Sequence, residues 1–202
     1  LEFRRVLFRS VDLFIGSPDG GATRDVSAGL DRNLLADFAW LPDGSGVVVM
    51  ADDHVGNKLY VQPLHGQGHP LDLGALNAFE VTASAQGAVA FVADNATRAP
   101  ELYLLRTLQS TPDRLTHINS GFAAYAYPDS AEVQWRASDG QPNDGILTYP
   151  NGYRAGKRYP LVVFSHGGPE AASTEGFDAD EIGPLRDLFA ARGFLVFEPN
   201  YR

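Results

Sequence analysis

The pentapeptide Ser165-His166-Gly167-Gly168-Pro169 follows an unbroken apolar run, Leu161-Val162-Val163-Phe164. Acyl transfer through a tetrahedral oxyanion needs rigid hydrogen-bond donors about 2.7–3.1 Å from the developing charge. Backbone N–H groups meet that need, and glycines let the backbone come close without a Cβ in the way. Gly167 and Gly168 are therefore the candidate oxyanion-hole residues, and a tight turn without chemistry is the alternative. Ser165 stands before the glycines, whereas a serine nucleophile sits inside a Gly-x-Ser-x-Gly elbow, which this chain lacks. Ser165 is thus rejected as the nucleophile, and His166 is read as a residue that holds the turn.

Other polar groups suggest less. The stretch from Pro169 to Gly183 is a long loop with Glu170, Glu175, Asp178, Asp180 and Glu181. Such loops often serve a nearby site, and its acids could attract a substrate ammonium group. The plainer reading is a solvated loop whose late acids complement the dipole of a following helix. Asp52-Asp53-His54 invites a metal, but no second cluster in sequence completes a ligand set, so it reads as a polar turn and no metal is assigned. His65, His69 and His117 are scattered in turns, and Trp40 and Trp135 read as core or interdomain packing. With 0 Cys, disulfides and thiol catalysis are excluded. No cofactor is called for.

The elements around the glycines read as strand, helix, strand. Leu161–Phe164 has the pattern of a parallel strand buried on both faces. A helix follows, with Pro184 in its first turn, Leu185, Leu188 and Phe189 as its apolar face, and Gly193 as its C-cap. Phe194-Leu195-Val196-Phe197 is a second buried strand, which completes a βαβ unit. Upstream, Val133–Arg136 and Gly145–Tyr149 flank Ser138-Asp139-Gly140 as a hairpin.

The first half obeys a different rule. Leu-aromatic pairs begin at Leu13, Leu59 and Leu102, at intervals of 46 and 43 residues. A second family interleaves, Phe38–Leu41 leading through Pro42-Asp43-Gly44 into Val47–Met50, and Phe79–Thr82 leading through Gln86-Gly87 into Val89–Val92. Short β-rich runs around Gly turns are hairpins. Four strands per ~40–45 residues is the blade of a β-propeller, and a β-sandwich with even spacing is the alternative.

The chain has 202 residues and a formal charge of −9, with 44% apolar and 20% charged residues, as in ordinary globular proteins. An acidic balance argues against nucleic acid or anionic lipid as the main partner. No apolar run reaches the ~18 residues of a membrane helix. Residues 1–10 read as an unrelated leader, and the chain as a fragment. Cytoplasm and periplasm fit equally well.

Taken together, Ser138-Asp139-Gly140, the run from Lys157 into His166-Gly167-Gly168-Pro169, Leu188–Phe194 and Pro199-Asn200-Tyr201-Arg202 resemble the opening of the peptidase domain of the prolyl oligopeptidase family of serine peptidases, in its acylaminoacyl-peptidase-like branch. The resemblance implies all-β propeller blades, about two and a half of them over residues 11–122, followed by the start of an α/β-hydrolase domain over 123–202. It implies peptide or acyl-peptide hydrolysis by a Ser-Asp-His triad in sequence past Arg202, a peptide substrate, and a propeller that gates the site. The glycine turn then occupies the loop after the third hydrolase strand, which supplies an oxyanion donor. A chain with these residues alone is expected to be inactive. The competing readings are an esterase or thioesterase on the same fold, or a non-catalytic propeller module with a hydrolase remnant.

Overall fold

The structure is a computed structural model that describes residues 11–30, 32–167, 171–177 and 183–200. In chain order it forms β1 (Phe14–Ile15), β2 (Arg24–Asp25), β3 (Leu34–Trp40), β4 (Gly46–Asp53), β5 (Gly56–Pro63), β6 (His69–Pro70) and β7 (Asn77–Ala83). There follow β8 (Val89–Asn95), β9 (Arg98–Leu105), β10 (Asp113–Arg114), a 3-10 turn (Ser120–Ala124), β11 (Ser130–Arg136), β12 (Pro142–Thr148), β13 (Leu161–Val163), α1 (Gly183–Ala191) and β14 (Leu195–Asn200). The expected leader at 1–10 lies outside the described residues. Among the described residues no helix is long and apolar enough to cross a membrane.

The repeat in the sequence is a repeat in space. Strands β3–β6 and β7–β10 are two four-stranded antiparallel meanders, each paired only with its sequence neighbours. Strands β1 and β2 form an antiparallel pair of their own. Leu59 and Leu102 fall in the third strand of each meander, and Leu13 immediately precedes β1. The first hairpin of each meander turns on a glycine with positive φ, in a loop one residue longer in the first meander than in the second. Leu41 N–H donates to Gly46 O at 2.9 Å with Gly44 at φ +70°, and Ser84 N–H donates to Ala88 O at 2.8 Å with Gly87 at φ +87°. Both glycines stand where an L side chain is disfavoured, which is why these turns were legible as hairpins.

Strand β4 is apolar on both faces because both are covered. Val48 and Met50 join Leu59, Val61, Ala78, Val89, Phe91, Tyr103 and Leu105 in a core between the two meanders. Val47, Val49 and Ala51 point the other way, onto Leu30, Leu34 and Tyr60, with Leu13 packed beside them. Period-two alternation has split one strand between two cores. Trp40 and Phe38 escape both, at 49% and 46% exposure, so the expected packing role of Trp40 is not met.

Beyond the 3-10 turn the pairing rule changes. The last sheet has the order β11–β12–β14–β13, antiparallel except for β13 and β14, which run parallel with Val162 opposite Val196. The strand-helix-strand unit expected from the sequence is present. Its faces are not those expected: Leu161 and Val163 are 55% and 53% exposed, and on α1 Leu185 and Leu188 are exposed while Arg186 and Ala190 are buried. The helix is rotated because Arg186 has buried acceptors, described below.

One close approach recurs in both regions. In β4 a Cβ on Gly46 would lie 2.5 Å from Gln62 O and 2.8 Å from Cα of Pro63, its cross-strand partner. In β12 a Cβ on Gly145 would lie 2.6 Å from Glu198 O and 2.9 Å from Cα of its partner Pro199. Glycine is required at both rungs.

Candidate active site

The turn that carries the glycines begins where the parallel ladder ends. Phe164 N–H still donates to Phe197 O at 2.9 Å, so the pairing of β13 with β14 persists one residue past the strand, and the chain then leaves the sheet. His166 is buried and its Nδ1 lies 2.8 Å from Gly167 O. A carbonyl only accepts, so Nδ1 carries the proton and the ring clamps its own turn. This agrees with reading His166 as a residue that holds the bend. Ser165 and Gly167 are exposed. Among the described residues none accepts a hydrogen bond from the Gly167 amide. A Cβ on Gly167 would meet nothing within 4 Å. Gly168, the other candidate donor, lies outside the described residues, as do Pro169, Glu170, Asp178, Asp180 and Glu181.

Residues 171–177 fold back over the carboxyl edge of the parallel strands and are fastened from three sides. Ser173 N–H donates to Asn200 Oδ1 at 2.7 Å, and Asn200 Nδ2 donates back to Ser173 O at 3.1 Å and across to Asp144 Oδ1 at 2.8 Å. From below, Arg186 donates to Gly176 O at 2.8 Å and to Thr174 O at 3.4 Å, and lies 3.5 Å from Glu198 Oε1. Both charged side chains are almost wholly buried, at 4% and 2% exposure. A buried guanidinium must satisfy its donors, and this loop and β14 do so, which turns that face of α1 inward in place of the leucines. Asp187, the neighbour of Arg186, has its carboxyl pKa raised by burial, against the opposing pull of the guanidinium.

The third fastening comes from the meanders. Val55, at the β4–β5 turn, accepts from Glu175 N–H at 2.7 Å, and Asp94, near the β8–β9 turn, accepts from Phe177 N–H at 3.0 Å through Oδ2. Each meander thus offers its second hairpin to the same loop. The Phe177 ring packs edge-on against Phe122 and Tyr127, at centroid distances of 5.5 and 5.2 Å. Glu175, considered from sequence as an ammonium receptor, is half-buried and accepts from Ser130 Oγ at 3.3 Å. Trp135 packs its ring on Phe197, at 5.6 Å.

A cavity of about 470 Å³ opens where the first meander meets the mixed sheet, lined in part by Arg32, His54, Trp135, Arg136 and Asp144. Gly167 is not among its walls. His54, read from sequence as part of an isolated polar turn, has its Nδ1 3.5 Å from Glu132 Oε1 and 3.4 Å from Asp144 Oδ2. Strands far along the chain complete a set that local sequence could not show.

Comparison with known proteins gives relatives of one kind. No family model matches the chain. It is 23% identical over 192 residues to a probable dipeptidyl-peptidase 5 of Aspergillus terreus, covering 90% of this chain and 25% of that protein. It is 28% identical over 166 residues to the uncharacterized peptidase YuxL of Bacillus subtilis, covering 81% of this chain and 24% of the relative. Among solved structures, the uncomplexed acylaminoacyl peptidase of Pyrococcus horikoshii superposes with a TM-score of 0.70 at 19% identity, over 95% of this chain and 28% of that one. A puromycin-hydrolyzing peptidase of Mycobacterium tuberculosis gives 0.67 at 18% identity, over 94% and 30%. The chain therefore spans about a quarter of the length of the curated relatives it matches.

Proposed function

We propose, on the premise that this chain is related to the peptidases of the prolyl oligopeptidase family, that it contributes the oxyanion-stabilising turn and part of the substrate gate of a serine peptidase. The observation that carries this reading is the His166-Gly167 turn. It leaves the third strand of a mixed sheet, in chain order, and presents a Gly167 N–H that no described group accepts from. The loop after the third strand is where a hydrolase of this architecture takes an oxyanion donor. In the proposed reaction a serine hydroxyl attacks the scissile carbonyl of a peptide or acyl-peptide, a histidine takes its proton, and the Gly167 amide, with Gly168, stabilises the oxyanion. The triad serine, aspartate and histidine belong to sequence past Arg202, and residues 1–202 alone are inactive. That chemistry needs neither metal nor cofactor.

The division of the chain follows the same reading. Residues 11–122 are two and a half blades of a β-propeller, supported by two equivalent meanders stacked face to face and by the β1–β2 pair before them. Residues 123–202 open an α/β-hydrolase domain, supported by the parallel β13–α1–β14 unit, in which β13 stands last in the strand order among the described residues. The blades act as a gate because their second hairpins already grip the loop above the site.

The test uses the full-length protein. Gly167→Ala keeps the amide and fits the space, so it should retain peptide hydrolysis and labelling by a fluorophosphonate. Gly167→Pro deletes the N–H and should lower kcat by about 10²–10³ with an unchanged circular dichroism spectrum. A full-length protein that takes no fluorophosphonate label, or a proline variant as fast as the alanine variant, removes the proposal.

A further inference from the structure

At the junction of the two regions, three side chains from separate elements converge on a point away from the glycine turn. His54 comes from the two-residue turn between β4 and β5, Glu132 from β11 and Asp144 from β12. One donor atom from each lies within 4.8 Å of the others. The two carboxylate oxygens are 3.5 and 3.4 Å from His54 Nδ1. Two ligands bound to one metal at ~2.1 Å in tetrahedral geometry stand ~3.4 Å apart, and both histidine–carboxylate distances match that separation.

Each ligand is held by a neighbour. Asp144 uses its other oxygen, Oδ1, to accept from Asn200 Nδ2 at 2.8 Å, which leaves Oδ2 for the cluster. Glu132 Oε1 accepts from Gln134 Nε2 at 2.6 Å. On the far side of the imidazole, Asp53 Oδ1 lies 4.0 Å from Nε2, and Asp53 is itself fixed by Arg32 at 3.0 Å and by the Tyr60 hydroxyl at 2.8 Å. The amides behind the two acids are outer partners of the kind that metal ligands carry, and the Asp53 carboxylate adds negative charge on the far side of the ring without a hydrogen bond to it. Among the described residues His54 is the one basic side chain within 4.0 Å of either ligating carboxylate. With a neutral imidazole the set therefore holds two negative charges, which one divalent cation would balance.

We propose that His54, Glu132 and Asp144 bind a zinc-class divalent transition metal that pins the β4–β5 hairpin to the mixed sheet. The imidazole selects against magnesium and calcium, which prefer all-oxygen shells. His54 is half-exposed, so water takes the fourth position, and the adjoining cavity of about 470 Å³ leaves room for it. The role is structural and does not depend on the peptidase reading.

The experiment is titration of the metal-free full-length protein with Zn²⁺ alone, followed by calorimetry, and with Co²⁺, followed by its visible absorption. One equivalent of zinc should bind, and cobalt should show the intense bands of a four-coordinate site. His54→Gln should weaken zinc binding by at least ~100-fold. Asp144→Asn, which keeps a carboxamide oxygen for Asn200, guards against a mere folding defect and should weaken binding as much. Absence of zinc binding overturns the proposal and leaves a histidine bridging two acids. Zinc that binds both variants as tightly as it binds the unsubstituted protein also overturns it. Neither failure touches hydrolysis by the Gly167 variants.

Discussion

The stacked meanders and the mixed sheet each present four-stranded sheets, yet they are held together by different means. In the meanders every strand pairs with its sequence neighbour, and the space between the sheets is filled by Val48, Leu59, Val89, Phe91 and Tyr103. In the mixed sheet the strand order departs from the chain order, and the buried side chains include Arg186, Glu198, Thr148, Ser173 and His166 beside Ile146 and Val196. The first region is built from local repeats that share apolar surface, and its buried polar groups, Gln62, Asn77, Asp94 and Glu101, stand around that surface and not between strands out of chain order. The second is built around polar anchors that hold one loop over one edge of the sheet. A region that must position backbone atoms for chemistry uses directional bonds, because apolar contacts fix separation far better than orientation.

The sharpest way to break this contrast is to remove one anchor. Arg186→Ala leaves Glu198 buried without its guanidinium and should cost about 3–5 kcal/mol in denaturant unfolding, with loss of the ordering of residues 171–177. The double replacement Arg186→Met with Glu198→Leu should recover most of the stability and little of the loop order. If the double variant restored both, orientation would not be what the charges supply.

Next in size is a matched pair of leucines. Leu59→Ala, between the meanders at 0% exposure, should cost about 2–5 kcal/mol. Leu188→Ala, on the exposed face of α1, should change stability by no more than about 0.5 kcal/mol. Equal costs would show that both regions draw on apolar burial alike.

The smallest effect is one of sign with pH. Glu101 in β9 is desolvated, yet its pKa is lowered, because Thr116 Oγ1 and the amides of Ile118 and Asn119 donate to its carboxylate. A carboxyl lowered by folding stabilises above its ordinary value of 4.5, and that contribution is lost as pH falls through the native value. Asp187 is raised by burial, so its ionised form weakens the fold at neutral pH, and the penalty is relieved as pH falls through the raised value. Glu101→Gln should thus lower the Tm at neutral pH and flatten its acid decline. Asp187→Asn should raise the Tm at neutral pH, with the gain vanishing below the ordinary aspartate value of 3.8. Thermal melts at several pH values separate the two slopes.

What the sequence made legible follows from range. The 46- and 43-residue intervals, the hairpin turns at Gly44 and Gly87 and the β13–α1–β14 unit are local, and each appears in the structure. Periodicity failed on α1, since the spacing of Leu185, Leu188 and Phe189 gives an apolar stripe and carries no sign of the acceptors that draw Arg186 inward. It failed on β13 too, where an apolar run reads as burial but two of its three residues face outward. The His54 cluster was beyond sequence reasoning for a plainer reason. Its acids lie 78 and 90 residues away and meet the imidazole only when the β4–β5 turn reaches the last sheet. At the candidate active site the motif at Gly167 was visible, while the double grip of Val55 and Asp94 on residues 171–177 was not, because Val55 accepts through a backbone carbonyl, which leaves no mark in residue identity, and the Asp94 carboxylate stands far along the chain from the Phe177 amide that it holds.

The pairing of Gly46 with Pro63 and of Gly145 with Pro199 has a consequence for how such a chain can vary. At each rung the glycine faces backbone atoms, the Cα of the proline and the carbonyl oxygen before it, so no change of the residue opposite makes room for a side chain there. A lineage that places a side chain at either glycine must widen the ribbon there, whereas nothing in these contacts fixes the prolines. These two crossings should therefore keep their glycines while the surfaces around them diverge.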